Sequence, residues 1–143
     1  MIKNLFRTDP ETQAVLEDLQ GTPEKCLEFH LSGSRFFGTS HEGSDWDFFT
    51  ADSMEVRRYL KNSGFVTCEN ESYQDPLCCA VFKKGLVHVQ IVSDLEAKLR
   101  IQNLLFGSRF YTLKPTKEQA RAVWHAMAQM TFWALTRKGG III

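Results

Sequence analysis

No stretch of this sequence approaches the ~20 consecutive apolar residues that a helix needs to cross a bilayer. The first residues, MIKNLFRTDPETQ, turn acidic and polar where a secretory leader would carry its apolar segment. Both absences point to a cytoplasmic chain with no membrane partner. Net charge is lacking as well. The 17 basic and 17 acidic residues cancel, so no global field favours nonspecific capture by nucleic acid or an anionic membrane, and only a local basic patch stays open. There is no C-x-x-C pair among Cys26, Cys68, Cys78 and Cys79. Cys78 and Cys79 are adjacent in a strand-like run and point to opposite faces, which argues against one metal site for both and for reduced, partly buried thiols. Internal repeats, low-complexity tracts and long linkers are also missing.

The composition is that of a folding chain. Over 143 residues, 43% are hydrophobic and 24% charged, far from the balance of a disordered segment. That length buries roughly two-thirds of the unfolded surface in a single core but is short for two domains. One compact domain over residues 1–143 is expected.

Caps and periodicity give the element order. Asp9-Pro10-Glu11 reads as a helix start and Gly21 as its end. Leu27 to Leu31 alternates as a strand does, and Trp46 to Thr50 is aromatic-rich and strand-like. Asp52-x-x-Glu55 is a capping pattern for a helix through about residue 62, closed by Ser63-Gly64, with extended chain resuming over Phe65 to Cys68. Leu77 to Phe82 and Leu86 to Val92 read as a hairpin turning at Lys83-Lys84-Gly85. Ser93-x-x-Glu96 and Thr116-x-x-Gln119 cap two further helices, the second running to about residue 137. Its apolar later half calls for the core or a subunit interface, and with it a homo-oligomer through that helix. The whole is an α+β order, a small mixed β-sheet with helices packed on it.

The stretch LSGSRFFGTSHEGSDWDFFT, residues 31–50, carries the chemistry. Residues two apart on a strand share a face, so Asp45 and Asp47 present two carboxylates to one place while Trp46 and Phe48 point into the opposite layer. Such a pair repels itself unless a positive charge sits between its members, and a hard divalent cation that also takes substrate phosphates is a natural partner. Upstream, Gly33 permits a tight turn and close backbone approach, Ser34 adds a hydroxyl, and Arg35 a guanidinium able to reach phosphate.

Together, Gly33-Ser34-Arg35, Gly38, Ser44-Asp45 and Asp47 resemble the signature of the DNA polymerase β-like nucleotidyltransferase superfamily, a Gly-Ser pair followed across a short loop by D-x-D. They are most similar to its small, stand-alone minimal members. The resemblance implies a nucleotidyltransferase-like fold and transfer of a nucleoside monophosphate from an NTP, ATP first among them, to a hydroxyl on a small molecule, a nucleic-acid end or a protein side chain. It implies that Gly33 and Ser34 hold the triphosphate with Arg35 and Ser44 beside them, and that Asp45 and Asp47 bind two Mg2+ (or Mn2+) ions in the two-metal manner. The acceptor could be a partner protein, as in toxin–antitoxin pairs, and a phage or accessory protein would suit the size.

The family's third carboxylate lies on a later strand, here Leu86-Val87-His88-Val89-Gln90-Ile91-Val92, and its expected position is Gln90. A Gln oxygen can meet a metal but takes no proton from a nucleophile. His88, on the same face, is a candidate base or ligand, or a packed strand histidine. Glu69, Glu71 and Asp75 are other sources of the missing carboxylate. His41 and Glu42 read as solvated, Lys83 and Lys84 as turn residues, Trp124 and Trp133 as core or interface aromatics, and the terminal Gly-Gly-Ile-Ile-Ile as a tail in need of burial or a partner. Two functions are therefore expected to compete: a metal-dependent nucleotidyltransferase, and a catalytically degenerate relative that binds nucleotide or another protein.

Overall fold

A computed structural model describes residues 9–21, 27–68 and 75–138, with the side chains of the last helix described to residue 130. Local sequence accounts for most of the elements. Helix α1 (Pro10–Gln20) starts where the Asp9 carboxylate accepts from the Thr12 amide at 2.7 Å, with Pro10 preset for the first turn. Strand β1 (His30–Ser32) runs directly into a short helix α2 (Gly33–Phe37), and a loop leads to strand β2 (Trp46–Ala51). Helix α3 (Met54–Asn62), strand β3 (Val66–Thr67), the hairpin β4 (Cys78–Lys84) and β5 (Val87–Val92), helix α4 (Leu95–Gly107), a 3-10 turn (Phe110–Leu113) and helix α5 (Lys117–Lys138) follow.

Three local expectations shift by a residue or two. Ser53, not Asp52, caps α3, its hydroxyl accepting from Val56 N at 3.0 Å, because Asp52 is engaged by Arg57 at 2.7 and 3.2 Å. Asp94, not Ser93, caps α4 by accepting from Ala97 N at 3.0 Å, while Ser93 donates to Leu77 O. Lys83 and Lys84 belong to β4 rather than the turn, which falls at Gly85 and Leu86, where glycine takes a φ of 59°. The capping box at α5 forms as expected, with Thr116 Oγ1 accepting from Gln119 N and Gln119 Oε1 accepting from Thr116 N.

The strands form one mixed five-stranded sheet in the order β1-β2-β5-β4-β3. The pairings are antiparallel except β2 with β5, which is parallel and is spanned by the α3, β3 and β4 segment. Alternation splits two cores. Phe48, Phe82, Val89 and Ile91 meet Leu19 of α1 and Val56 and Leu60 of α3 on one face. Phe49 and Val92 meet Leu99 of α4 on the other. Neighbouring Phe48 and Phe49 are both fully buried, which requires helices on both faces of the sheet. The two faces together make a mixed α+β architecture.

Helix α5 packs against α4 through Val123, Trp124, Met127 and Ala128, beside Ile101 and Leu105. Met130 is exposed. Trp133 and the Gly-Gly-Ile-Ile-Ile tail lie outside the described side chains, as do Cys26, Glu69 and Glu71. No helix among the described residues is long and apolar enough to cross a membrane.

The α3 boundary gives a direct check. Ser53→Ala removes a cap, so its urea midpoint is expected to fall by the equivalent of ~0.5–2 kcal/mol. Asp52→Ala removes a surface ion pair and is expected to cost ~0–1 kcal/mol. The reverse ranking would place the cap at Asp52.

Candidate functional site

The parallel pairing of β2 with β5 builds the site. It sets Asp47 opposite His88 and Phe49 opposite Gln90, all four on the α4 side of the sheet. His88 Nδ1 lies 3.5 Å from Asp47 Oδ1 and 3.6 Å from Asp45 Oδ2, so the imidazole faces both carboxylates. Gln90, expected to fill the place of a third carboxylate, sits one same-face step, about 7 Å, further along the strand. Its Oε1 accepts from Lys98 Nζ at 2.8 Å. The residue beside the aspartate pair is therefore His88.

Asp75 is not spare either. Its Oδ2 accepts from Lys98 Nζ at 2.8 Å and from Trp124 Nε1 at 2.7 Å, and its Oδ1 from Leu77 N at 2.9 Å. Asp75 is 8% exposed and Lys98 3%, and the ammonium also lies 4.2 Å from the centre of the Trp124 ring. A buried charge is tolerated only when paired and hydrogen-bonded in this way. Lys98 escaped notice in the sequence, although it shares a helical face with Leu95, Ile101, Gln102 and Leu105, where an apolar side chain would be expected.

Gly33 is bound to Asp47 by sterics. Its φ is 68°, and a Cβ at that position would collide with Asp47 Oδ2 and stand 3.0 Å from Asp47 Cβ and Cγ. Only glycine lets the chain turn from β1 into α2 directly against that carboxylate. Ser34 lines the same cleft.

Arg35 and Ser44, expected beside the triphosphate, brace the intervening loop, and Ser44 also borders the larger cavity. Arg35 stacks over the Trp46 ring at 3.7 Å and donates from Nη2 to Ser44 O at 2.9 Å, and it is absent from the cleft lining. Ser44 Oγ accepts from His41 N at 2.9 Å, fixing the turn that delivers Asp45. His41 and Glu42 are exposed, as expected.

The cleft consists of two adjoining cavities of about 410 and 960 Å3, both bordered by Gly33, Asp45 and Asp47. Phe37 and Tyr111 stack at 4.1 Å along one wall, and burial raises the Tyr111 phenol above its ordinary value. Lys114, Lys117 and Arg121, from the chain entering α5 and its first turns, form a basic rim opposite the Gly-Ser turn. No local sequence signal marked these three, since only the packing of α5 brings them there. Cys78 borders the smaller cavity, but burial pushes its thiol up to about 11, so it is no ready nucleophile. Among the described cysteines, Cys68, Cys78 and Cys79 are free.

Comparison with known proteins gives no match: no family model, no curated protein and no solved structure corresponds to this chain. The site stands on its own geometry. A pair of protein-held divalent ions does not fit it, because the place beside the two aspartates holds His88, Gln90 is bonded to an ammonium, and the Asp75 carboxylate is taken up by Lys98, Trp124 and Leu77. Among the described residues, no three His, Cys, Asp or Glu side chains are gathered to hold a metal ion.

Burial raises the Asp47 carboxyl above its ordinary value, and Asp45 pushes the same way, against the pull of His88, Lys98 and Lys83. A carboxyl raised in the folded state costs stability above its folded value and stops doing so once the pH drops below the unfolded value near ~3.9. Asp47→Asn is therefore expected to raise the urea midpoint at pH 7 by the equivalent of ~0.5–2 kcal/mol, with the gain vanishing by pH ~3.5. A destabilised Asp47→Asn at pH 7 would mean that the carboxylate is held for structure.

Proposed function

We propose that this chain is a nucleotidyltransferase-like protein that takes a nucleoside triphosphate into the cleft and transfers its nucleoside monophosphate to a hydroxyl. One observation carries the proposal: Gly33 of the Gly-Ser turn lies directly against Asp47 of the D-x-D pair. Turn and carboxylates thus border a single cleft, although the loop between them is braced elsewhere. The basic rim of Lys114, Lys117 and Arg121 and the stacked Phe37 and Tyr111 suit a polyanion with an aromatic end.

In the transfer, the acceptor oxygen bonds to the α-phosphorus, the bond from that phosphorus to the bridging oxygen breaks, and pyrophosphate leaves. The hydroxyl proton finds acceptors in Asp45, Asp47 and His88. Mg2+ enters as part of the substrate, since NTP in solution carries it. ATP is the first nucleotide to try, and a partner protein in the cytoplasm the first acceptor.

His88 at the aspartate pair favours a second function, a protein that keeps the nucleotide cleft but not the transfer. The two separate in one experiment. Wild type and Asp45→Ala/Asp47→Ala are incubated with cell lysate, Mg2+ or Mn2+ and each α-labelled NTP. Label transfer that falls at least ~100-fold in the double variant is expected of the enzyme. NTP binding without transfer assigns the binding protein, and neither binding nor transfer overturns both.

A further inference from the structure

A cleft recruits free divalent ions when its carboxylates outnumber its own cations, whereas one or two carboxylates usually hold Mg2+ only together with substrate phosphates. The smaller cavity here is bordered by three carboxylates, Asp45, Asp47 and Asp75, and also by Lys83, Lys98 and Arg121. Asp75 is spent on Lys98 and Trp124, and Gln90 is drawn to the same ammonium. His88 stands within 3.6 Å of the remaining pair, bringing a nitrogen where a third negative charge would be needed.

We propose that Lys98 supplies the positive charge of this cavity and that His88 occupies the place a third carboxylate would need, so that the free protein has no resident divalent site and the only ion to enter the cleft is the one its triphosphate ligand carries. The part about the ligand rests on the proposed nucleotide cleft, whereas the part about the free protein does not. The buried ammonium is fixed in place by bonds from two segments, Asp75 and Gln90, so it is not readily displaced by an incoming ion.

The test is a Mn2+ titration of the full-length protein, followed by loss of the free-ion EPR signal. Wild type without nucleotide is expected to show no binding below ~1 mM. With a non-hydrolysable ATP analogue, one ion per chain is expected. His88→Asp, which supplies a third carboxylate, is expected to bind Mn2+ without nucleotide at least ~10-fold more tightly than wild type. His88→Asn, which removes the ring without adding charge, is expected to show no gain.

Micromolar binding of one or two ions by wild type alone would overturn the proposal, whether or not any variant folds. A folded His88→Asp that binds no better than wild type would overturn the assignment of His88. If the analogue fails to bind while the ion-only results hold, the nucleotide cleft is wrong and the metal-free site stands.

Discussion

The parallel pairing of β2 with β5 is the constraint on which the cleft depends. It lays His88 beside Asp47 and sends Gln90 inward, beside Phe49, toward α4. A parallel pair cannot be closed by a tight turn, so a crossover must intervene, and here it includes α3, β3 and β4. The crossover helix covers one face of the sheet while α4 and α5 cover the other. The carboxylates lie at the edge of that second face, near enough to the apolar layer for burial to raise Asp47 and open enough to border a cavity. A one-residue slip in the pairing would turn His88 and Gln90 into the opposite core.

A second constraint ties the helical layer to this edge. Lys98 of α4, Trp124 of α5, Asp75 ahead of β4 and Gln90 of β5 meet in one hydrogen-bonded group, with Lys98 and Asp75 buried and the other two half-buried. Four segments are thereby held together by directional bonds, where apolar contacts alone would permit several packings. Removing Lys98 or Asp75 strands the other's buried charge, which is costly, typically ~3–5 kcal/mol. The same group sets a positive charge against Gln90, the amide the sequence had offered as a metal ligand, so the network that organises the packing also sets the electrostatics of the cleft.

Features written in neighbouring residues were legible in the sequence. The Asp9 and Thr116 caps, the aromatic β2 strand and the hairpin strands follow from spacing within a few positions. Where two adjacent residues could both cap, as Ser53 against Asp52 or Asp94 against Ser93, the choice fell to what else each could bond. His88 and Gln90 share a face by alternation, and only the non-local register decides which of them meets the aspartates. Arg35 was read from its charge alone, and its contacts with the Trp46 ring and the Ser44 carbonyl depend on how the loop folds back. The basic rim depends on where α5 docks, and no periodicity within α5 encodes that.

The central claim, that the cleft between the Gly-Ser turn and the start of α5 receives a nucleotide, is tested most directly by photolabelling with azido-ATP and mapping the modified peptides by mass spectrometry. Labelling confined to peptides holding residues 33–38 and 110–121, and suppressed by unlabelled ATP, is the expected result. Labelling elsewhere on the chain, or labelling that excess ATP does not suppress, would contradict it.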